Sequence, residues 1–292
     1  MKFTVKKALV ALVCSLALPL SANASDEKSK APAVAKNTAQ LTIERIYSSP
    51  SLNGQTPKSL KFSPDGTRVT YLQGKAEDLH RYDLWEYNLA SKENKLLVDS
   101  QSLFSGPESL SDEEKARRER QRIYGVGIME YHFSQDGSAL LFPLNGDIYY
   151  YHLATKTAKR LTETVSFETD VKFSPKGNFV SYIRQQNIYV LTIASGEERQ
   201  LTIDGGGTIK NGMSEFVAQE EMSRMTGYWW SPNEKYIAFL RVDETPVQTV
   251  IRNEIYAEKI KLIEQRYPAT GTNNVHIQLA VTDIKGKKIR FV

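Results

Sequence analysis

The sequence predicts an all-β fold, a partial β-propeller of about four or five blades with two short helical inserts. Three features of the 292-residue chain point to it: a repeat close to 40 residues, one turn shared by every copy, and strand-period alternation inside each copy. The copies are "LKFSPDGTRVTYLQG" from Leu60, "YHFSQDGSALLFPLNGDIYYYHLATKTAKRLT" from Tyr131, "VKFSPKGNFVSYIRQQNIYVLTIASGEERQLT" from Val171 and "YWWSPNEKYIAFLRVDE" from Tyr228. The second and third align without a gap at a spacing of 40 residues. Each runs from an aromatic-Ser turn into an alternating strand, then a second strand, a polar turn and a third. In S-P-D-G, proline sets φ and glycine supplies a positive φ. A sandwich of similar hairpins is the alternative architecture. Sequential copies with a common turn favour blades around an axis.

Taken in chain order, the first element is an export segment. Lys2, Lys6 and Lys7 precede the apolar run Ala8–Leu20, and Ala22-Asn23-Ala24 has the form of a cleavage site. The run is too short to span a bilayer. Residues 1–24 are therefore expected to be a signal peptide, with a periplasmic or secreted product. Residues 25–40 ("SDEKSKAPAVAKNTAQ") read as a flexible leader and 41–292 as the incomplete propeller. Removing the signal takes three lysines and no acid from a formal charge of +4, leaving +1. That balance argues against a nucleic-acid or polybasic membrane surface. Cys14 is the single cysteine and leaves with the signal, so the mature chain has no disulfide and no thiol nucleophile.

The two inserts read as helices. "SDEEKARRERQR" (Ser111–Arg122) opens with a capping box, Ser111 and Glu114. Glu113/Arg117 and Glu114/Arg118 form i, i+4 pairs, so a solvated surface helix is expected. "SEFVAQEEMSRM" (Ser214–Met225) places Phe216 over Glu220 and Val217 over Glu221, so two acids continue an apolar stripe. Either a pocket there awaits a cation, or the segment is a solvated acidic helix end.

Around this insert, "FVAQEEMSRMTGYWWSP" (216–232) resembles the double-glutamate segment of the dipeptidyl peptidase IV family of serine peptidases, closest to its dipeptidyl peptidase 8/9 branch. "RERQRIYGVGI" (118–128) resembles that branch's arginine-rich helix, and "RYPATGTNN" (266–274) the family's Tyr-Pro-x-x-Gly stretch. The resemblance implies an N-terminal eight-bladed propeller followed by an α/β-hydrolase domain. It also implies release of Xaa-Pro or Xaa-Ala dipeptides from free N-termini. By motif position, Glu220 and Glu221 would bind the substrate's α-ammonium and Arg122 the carbonyl of its first peptide unit, with Arg118 one turn away as the alternative. Arg122 is also expected to hold the glutamate pair when no substrate is bound.

The catalytic half is missing from the motifs. No G-x-S-x-G elbow occurs; "GMSEF" (212–216) lacks the second glycine. His80, His132, His152 and His276 read as strand or turn residues, and no zinc spacing or phosphate loop is present, so neither metal nor cofactor is expected. The expectation is the substrate-gating propeller portion of a secreted dipeptidyl aminopeptidase without an α/β-hydrolase domain, truncated and inactive alone. It would take peptides with free N-termini, or partner a hydrolase domain encoded downstream or separately. The alternative is a non-catalytic periplasmic propeller that binds peptides or a protein.

Overall fold

The computed structural model describes residues 41–48, 51–108 and 110–292. The expected signal and leader lie outside the described residues. Contacts divide the chain between Ile46 and Tyr47, where the exposed short helix α1 (Ile43–Tyr47) falls. The rest of the described chain forms four mainly antiparallel sheets in chain order and one separate hairpin.

The first sheet is β1 (Lys58–Phe62), β2 (Arg68–Gly74), β3 (Arg81–Asn88) and β4 (Asn94–Val98). Helices α2 (Ser100–Leu103) and α3 (Asp112–Arg120) follow, and β5 (Val126–Gly127) then pairs parallel with β3. The second sheet is β6 (His132–Phe133), β7 (Ala139–Leu144), β8 (Asp147–His152) and β9 (Thr157–Arg160). The third is β10 (Thr169–Phe173), β11 (Phe179–Arg184), β12 (Asn187–Thr192) and β13 (Glu198–Gln200). In the fourth, β14 (Ile209–Asn211) and β15 (Tyr228–Trp230) flank helix α4 (Phe216–Glu220) and both pair with β16 (Tyr236–Asp243). A separate hairpin, β17 (Thr249–Ile255) and β18 (Ile260–Arg266), precedes β19 (His276–Asp283) and β20 (Ile289–Phe291), which complete that sheet. These are the expected blades, four of them, meandering in sequence order, with two helical inserts and no closed barrel.

Side-chain alternation explains the continuous apolar runs of the middle strands. Leu140 and Phe142 of β7 pack toward the first blade, with Leu72, Leu84 and Tyr131. Leu141 points the other way, to Val171, Val180 and Tyr182 of the third. Ile188 and Val190 of β12 pack with Tyr228, Ile237 and Phe239 of the fourth. Strands covered on both faces need apolar residues at every position.

A repeated tyrosine lock joins blades one to two and three to four. Tyr131 Oη donates to the Ser59 carbonyl at 2.7 Å and accepts from Thr70 Oγ1 at 2.9 Å. Tyr228 Oη donates to the Asp170 carbonyl at 2.5 Å and accepts from Ser181 Oγ at 3.1 Å. Ser59 and Asp170 are equivalent bulge residues, at φ 52° and 51°. Burial pushes the Tyr131 phenol up to about 12, and Tyr228 well above its ordinary value, so both remain donors.

The shared turn is also repaired across a blade boundary. Asp65 accepts from Ser63 Oγ (2.5 Å) and the Thr67 N–H (3.0 Å); Asp136 does the same for Ser134 (2.6 Å) and Ser138 (3.1 Å). The third blade has Lys176 at that position. Glu234 of the fourth blade supplies the missing carboxylate, accepting from the Lys176 N–H at 2.6 Å and from Asn178 Nδ2 at 2.7 Å. Glu234 itself occupies the position that is Gly66, Gly137 and Gly177 elsewhere, at φ 60°, and is buried. Burial acts to raise its carboxyl, but hydrogen bonds from Ser174, Asn178 and the Lys176 N–H outweigh it and hold the group below its ordinary value.

Two predictions follow from these locks. Tyr228→Phe leaves the Asp170 carbonyl and Ser181 without their partner and is expected to lower unfolding free energy in urea by about 1–3 kcal/mol. Glu234→Ala is expected to cost a similar amount, while Lys176→Asp combined with Glu234→Gly recovers most of it by restoring a self-contained turn. Because the folded Glu234 carboxyl lies low, its contribution is present above the unfolded value of about 4.3 and is lost as pH falls through the folded one. The wild type should therefore lose more stability on acidification than Glu234→Ala.

Candidate functional site

The arginine-rich insert is not a solvated helix. Ser111 caps α3, accepting from the Glu114 N–H at 3.2 Å. Glu114, only 1 % exposed, accepts from Arg117 Nε at 2.7 Å and Arg118 Nε at 2.8 Å. Arg118 also donates to Glu108 (2.8 Å), and Glu108 accepts the Gly127 N–H (3.1 Å). Arg117 reaches Glu130 at 3.3 Å. Burial would raise the Glu130 carboxyl, but Arg117 foremost holds it below its ordinary value. This buried ionic frame docks α3 on β5. Gly127 admits the pairing of β5 with β3: at φ 86°, a Cβ there would come within 2.5 Å of the Tyr82 carbonyl oxygen.

The second insert is shorter than expected. Helix α4 covers Phe216–Glu220, not Ser214–Met225, because Glu215 caps it and the chain turns out at Ser223, φ 51°. Glu215 accepts from the Val217 (2.6 Å) and Ala218 (2.8 Å) N–H groups, while Ser214 Oγ turns away to the Thr226 carbonyl (2.8 Å). Glu220 ends the helix half-buried, and Glu221 is the exposed C-cap.

The structure brings Arg120 to this end, a residue that motif matching passed over. Its Nε stands 3.9 Å from Glu220 Oε1, its Nη1 donates to Gln219 Oε1 at 2.9 Å, and its guanidinium lies 4.9 Å from the centre of the Phe216 ring. Phe216 packs edge-on against Tyr267 at 5.2 Å, which ties in the Tyr-Pro segment. Arg122 does not hold the pair: α3 has ended, the residue sits at φ 56°, and its exposed side chain donates only to the Glu119 carbonyl at 3.3 Å. Arg118 is committed to Glu108 and Glu114. The periodicity of α3 held the missed signal, since Arg120 lies three residues beyond Arg117.

The neighbouring carboxylates are filled at close range. Glu244, for example, takes Lys210 at 2.6 Å. Glu220 has only the distant Arg120, and the Glu221 carboxylate has no partner among the described residues. A cavity of about 260 Å³, which neither glutamate lines, is bounded by Arg117 and Arg120 of α3, Gln219 of α4, and Asp170 and Gln186 of the third blade. His132 is half-buried on β6; burial foremost, then Lys61, pushes its imidazole down to about 4, so it is neutral at pH 7. Among the described residues no group of His, Cys, Asp and Glu is arranged to hold a metal, and no helix is long and apolar enough to cross a membrane.

Fold and site together define a propeller-type β-domain that presents an unfilled carboxylate pair beside an arginine helix. Residues 134–292, more than half of the chain, match the family described as the dipeptidyl peptidase IV (DPP IV) N-terminal region, and the chain belongs to that family. It is similar to dipeptidyl peptidase 8 of Homo sapiens, at 28% identity over 200 residues, 60% of this chain and 22% of the human protein. It is also similar to dipeptidyl aminopeptidase B of Saccharomyces cerevisiae, at 35% identity over 119 residues, 39% of this chain and 14% of the yeast protein. Among solved structures, dipeptidyl peptidase 4 of Porphyromonas gingivalis superposes with a TM-score of 0.60 at 22% identity, over 80% of this chain and 32% of that one. That likeness supports the fold. The chain thus spans less than a quarter of these two curated relatives.

Glu114→Ala removes the carboxylate that Arg117 and Arg118 share, leaving them Glu130 and Glu108, and is expected to cost about 1–3 kcal/mol in urea unfolding. Removing the exposed Asp112–Lys115 pair on the same helix should leave the midpoint unchanged.

Proposed function

We propose that this chain supplies the substrate-gating, N-terminus-reading region of a secreted dipeptidyl aminopeptidase. Family membership supports the class. The observation that carries the reading is the pair of adjacent carboxylates, Glu220 and Glu221, with unfilled acceptor capacity at the end of α4. A peptide α-ammonium offers three N–H donors, and two carboxylates are strong charge-assisted acceptors for them. Arg120 balances Glu220 until the cation arrives. Arg122 retains most of its donors beyond α3 and is the candidate for the carbonyl of the substrate's first peptide unit. A free N-terminus fixed here sets a dipeptide's distance to a scissile bond held by an α/β-hydrolase domain, encoded downstream or separately. The chain alone is expected to bind peptides without cutting them. Export through residues 1–24 would deliver it to the periplasm or beyond, and N-terminal sequencing of the exported protein should begin at Ser25.

Binding of an alanyl-prolyl peptide, followed calorimetrically, tests the reading. N-acetylation of the peptide should abolish binding, and Glu220→Gln or Glu221→Gln should weaken it at least about tenfold, some 1.4 kcal/mol. Affinity should also decline as pH rises through the peptide α-amino value near 8, because the ammonium is the bound form. In an intact enzyme carrying this region, Glu220→Gln should raise KM sharply. Equal affinity for free and acetylated peptides would overturn the reading.

A further inference from the structure

Blades two and three are joined by loop 161–168, which runs from β9 to β10 and ends on a buried carboxyl group, Glu168. The Glu168 N–H donates to the Gly146 carbonyl at 2.9 Å. Thr162 Oγ1 donates to Glu168 Oε2 at 3.1 Å and accepts the Ile148 N–H at 2.8 Å. Thr164 Oγ1 stands 2.7 Å from Glu168 Oε1 and also 2.7 Å from the Ser166 carbonyl oxygen. Both separations are those of O–H···O bonds, so two hydrogens are needed. The threonine hydroxyl brings one; a carbonyl and an ionised carboxylate bring none. The arrangement closes when Glu168 is the acid. Its Oε1–H then donates to Thr164 Oγ1, and Thr164 donates to the Ser166 carbonyl.

The surrounding charges agree with this. Arg184 of β11 lies 3.3 Å from Glu168 but is held by Glu198 of β13 at 2.5 and 3.0 Å. Glu198 also accepts from Tyr182 Oη. Asp147 of β8, a second buried acid, is taken by Arg160 of β9 at 2.5 Å and by the Thr164 N–H at 3.0 Å. Arg160 also holds the exposed Glu163 at 3.1 Å. Asp147, Glu163, Glu168 and Glu198 thus share Arg160 and Arg184, two acids to each base. Burial foremost pushes the Glu168 carboxyl up to about 7, and Asp147 adds to the rise; the bonds from Thr164, Thr162 and Arg184 offset it in part.

We propose that Glu168 is a proton-operated latch on loop 161–168. As the acid it fastens the loop through Thr164 to the Ser166 carbonyl. On ionising it gives its proton to solvent and takes the Thr164 hydroxyl hydrogen onto its own oxygen, which leaves the Ser166 carbonyl without that donor. Ser166 then keeps the bond from Gln185 Nε2 to its hydroxyl, at 3.0 Å. Val165, Ser166 and Phe167 wall a cavity of about 450 Å³ together with Gln185 and Met213, so the latch governs how firmly that wall is held. Because the folded carboxyl lies above its unfolded value of about 4.3, the contribution to stability is complete below the unfolded value and is lost as pH rises through about 7.

The test follows the full chain between about pH 5 and 9, on either side of the folded value. Amide exchange of residues 164–167, corrected for its intrinsic pH dependence, should accelerate at least about fivefold as pH rises through neutrality. Infrared spectra should show a protonated-carboxyl band at the acid end that fades over the same range. Glu168→Gln, whose amide can donate to Thr164 as the acid does, should remove that band and keep the amides protected throughout. The folding constant of the wild type relative to this variant should fall about tenfold per pH unit between the unfolded value and about 7. Thr164→Val, at an exposed position, should keep the band and lose the protection at every pH. No band at the acid end, exchange that ignores pH, or the wild-type pH response in Glu168→Gln would overturn the latch. Unaltered protection in Thr164→Val would overturn its action on the loop.

Discussion

The contact on which the rest depends is the phenol that crosses from one blade into the bulge of the preceding one. Tyr131 and Tyr228 each fill a buried wedge and hand a hydrogen bond to a carbonyl that the bulge leaves unpaired. The same bulges set the lysines of the inner strands over these rings, Lys61 at 4.5 Å from the Tyr131 centroid and Lys172 at 3.7 Å from that of Tyr228. Burial foremost lowers the pKa of both lysines, yet each ammonium has a ring face and the carbonyl of the same tyrosine as partners. The second-to-third interface has Val171 in the tyrosine position and relies on apolar packing of Leu141, Ile148 and Tyr182. Its polar link is Glu168, whose N–H donates to the Gly146 carbonyl at 2.9 Å and whose carboxyl group accepts from Thr162 Oγ1 at 3.1 Å and from Arg184 at 3.3 Å. Asp170, whose carbonyl closes one lock, also lines the cavity bounded by Arg120 and Gln219.

Electrostatic bookkeeping separates structure from function in this region. Three charged residues of α3 fix the helix: Glu114, Arg117 and Arg118 neutralise one another with Glu108 and Glu130 in a largely buried interface. Such a frame is expensive to desolvate and fixes one geometry rather than adding much stability. Its consequence is that Arg120, at the last turn, has a determined position, and Glu220 is thereby faced with a cation it does not closely bond. A carboxylate left at 3.9 Å from a guanidinium, while its neighbours sit at 2.6–3.3 Å, is available to a better donor.

The blades were legible because their signals are local and repeated. An aromatic-Ser turn followed by alternation marks each inner pair of strands, and the long apolar runs of "ALLFPL" and "NIYVLT" mark strands covered on both faces. The glutamate pair was legible because Phe216 and Val217 precede it by one helical turn. What the sequence hid was tertiary. The i, i+4 pairs of α3 look identical whether the helix faces water or a sheet, and only β5 beneath it decides that Glu114 is buried. Arg120 could not be ranked above Arg122 without knowing that the helix stops between them. The carboxylate that Glu234 lends to the turn at Lys176 was invisible because it links positions 58 residues apart.

Positive φ at non-glycine positions distinguishes two kinds of broken local rule. Glu234 breaks the glycine rule of its turn, and the structure supplies the reason: its carboxylate completes the neighbouring blade's turn, so the strain is offset by bonds a glycine could not make. Gln186 breaks the corresponding rule in its hairpin, yet its amide oxygen is buried and bonded to nothing. The explanation that suffices for Glu234 therefore does not extend to the Gln186 side chain; there the return lies in the backbone, whose carbonyl accepts the Asn211 N–H at 3.0 Å and ties the third blade to β14 of the fourth.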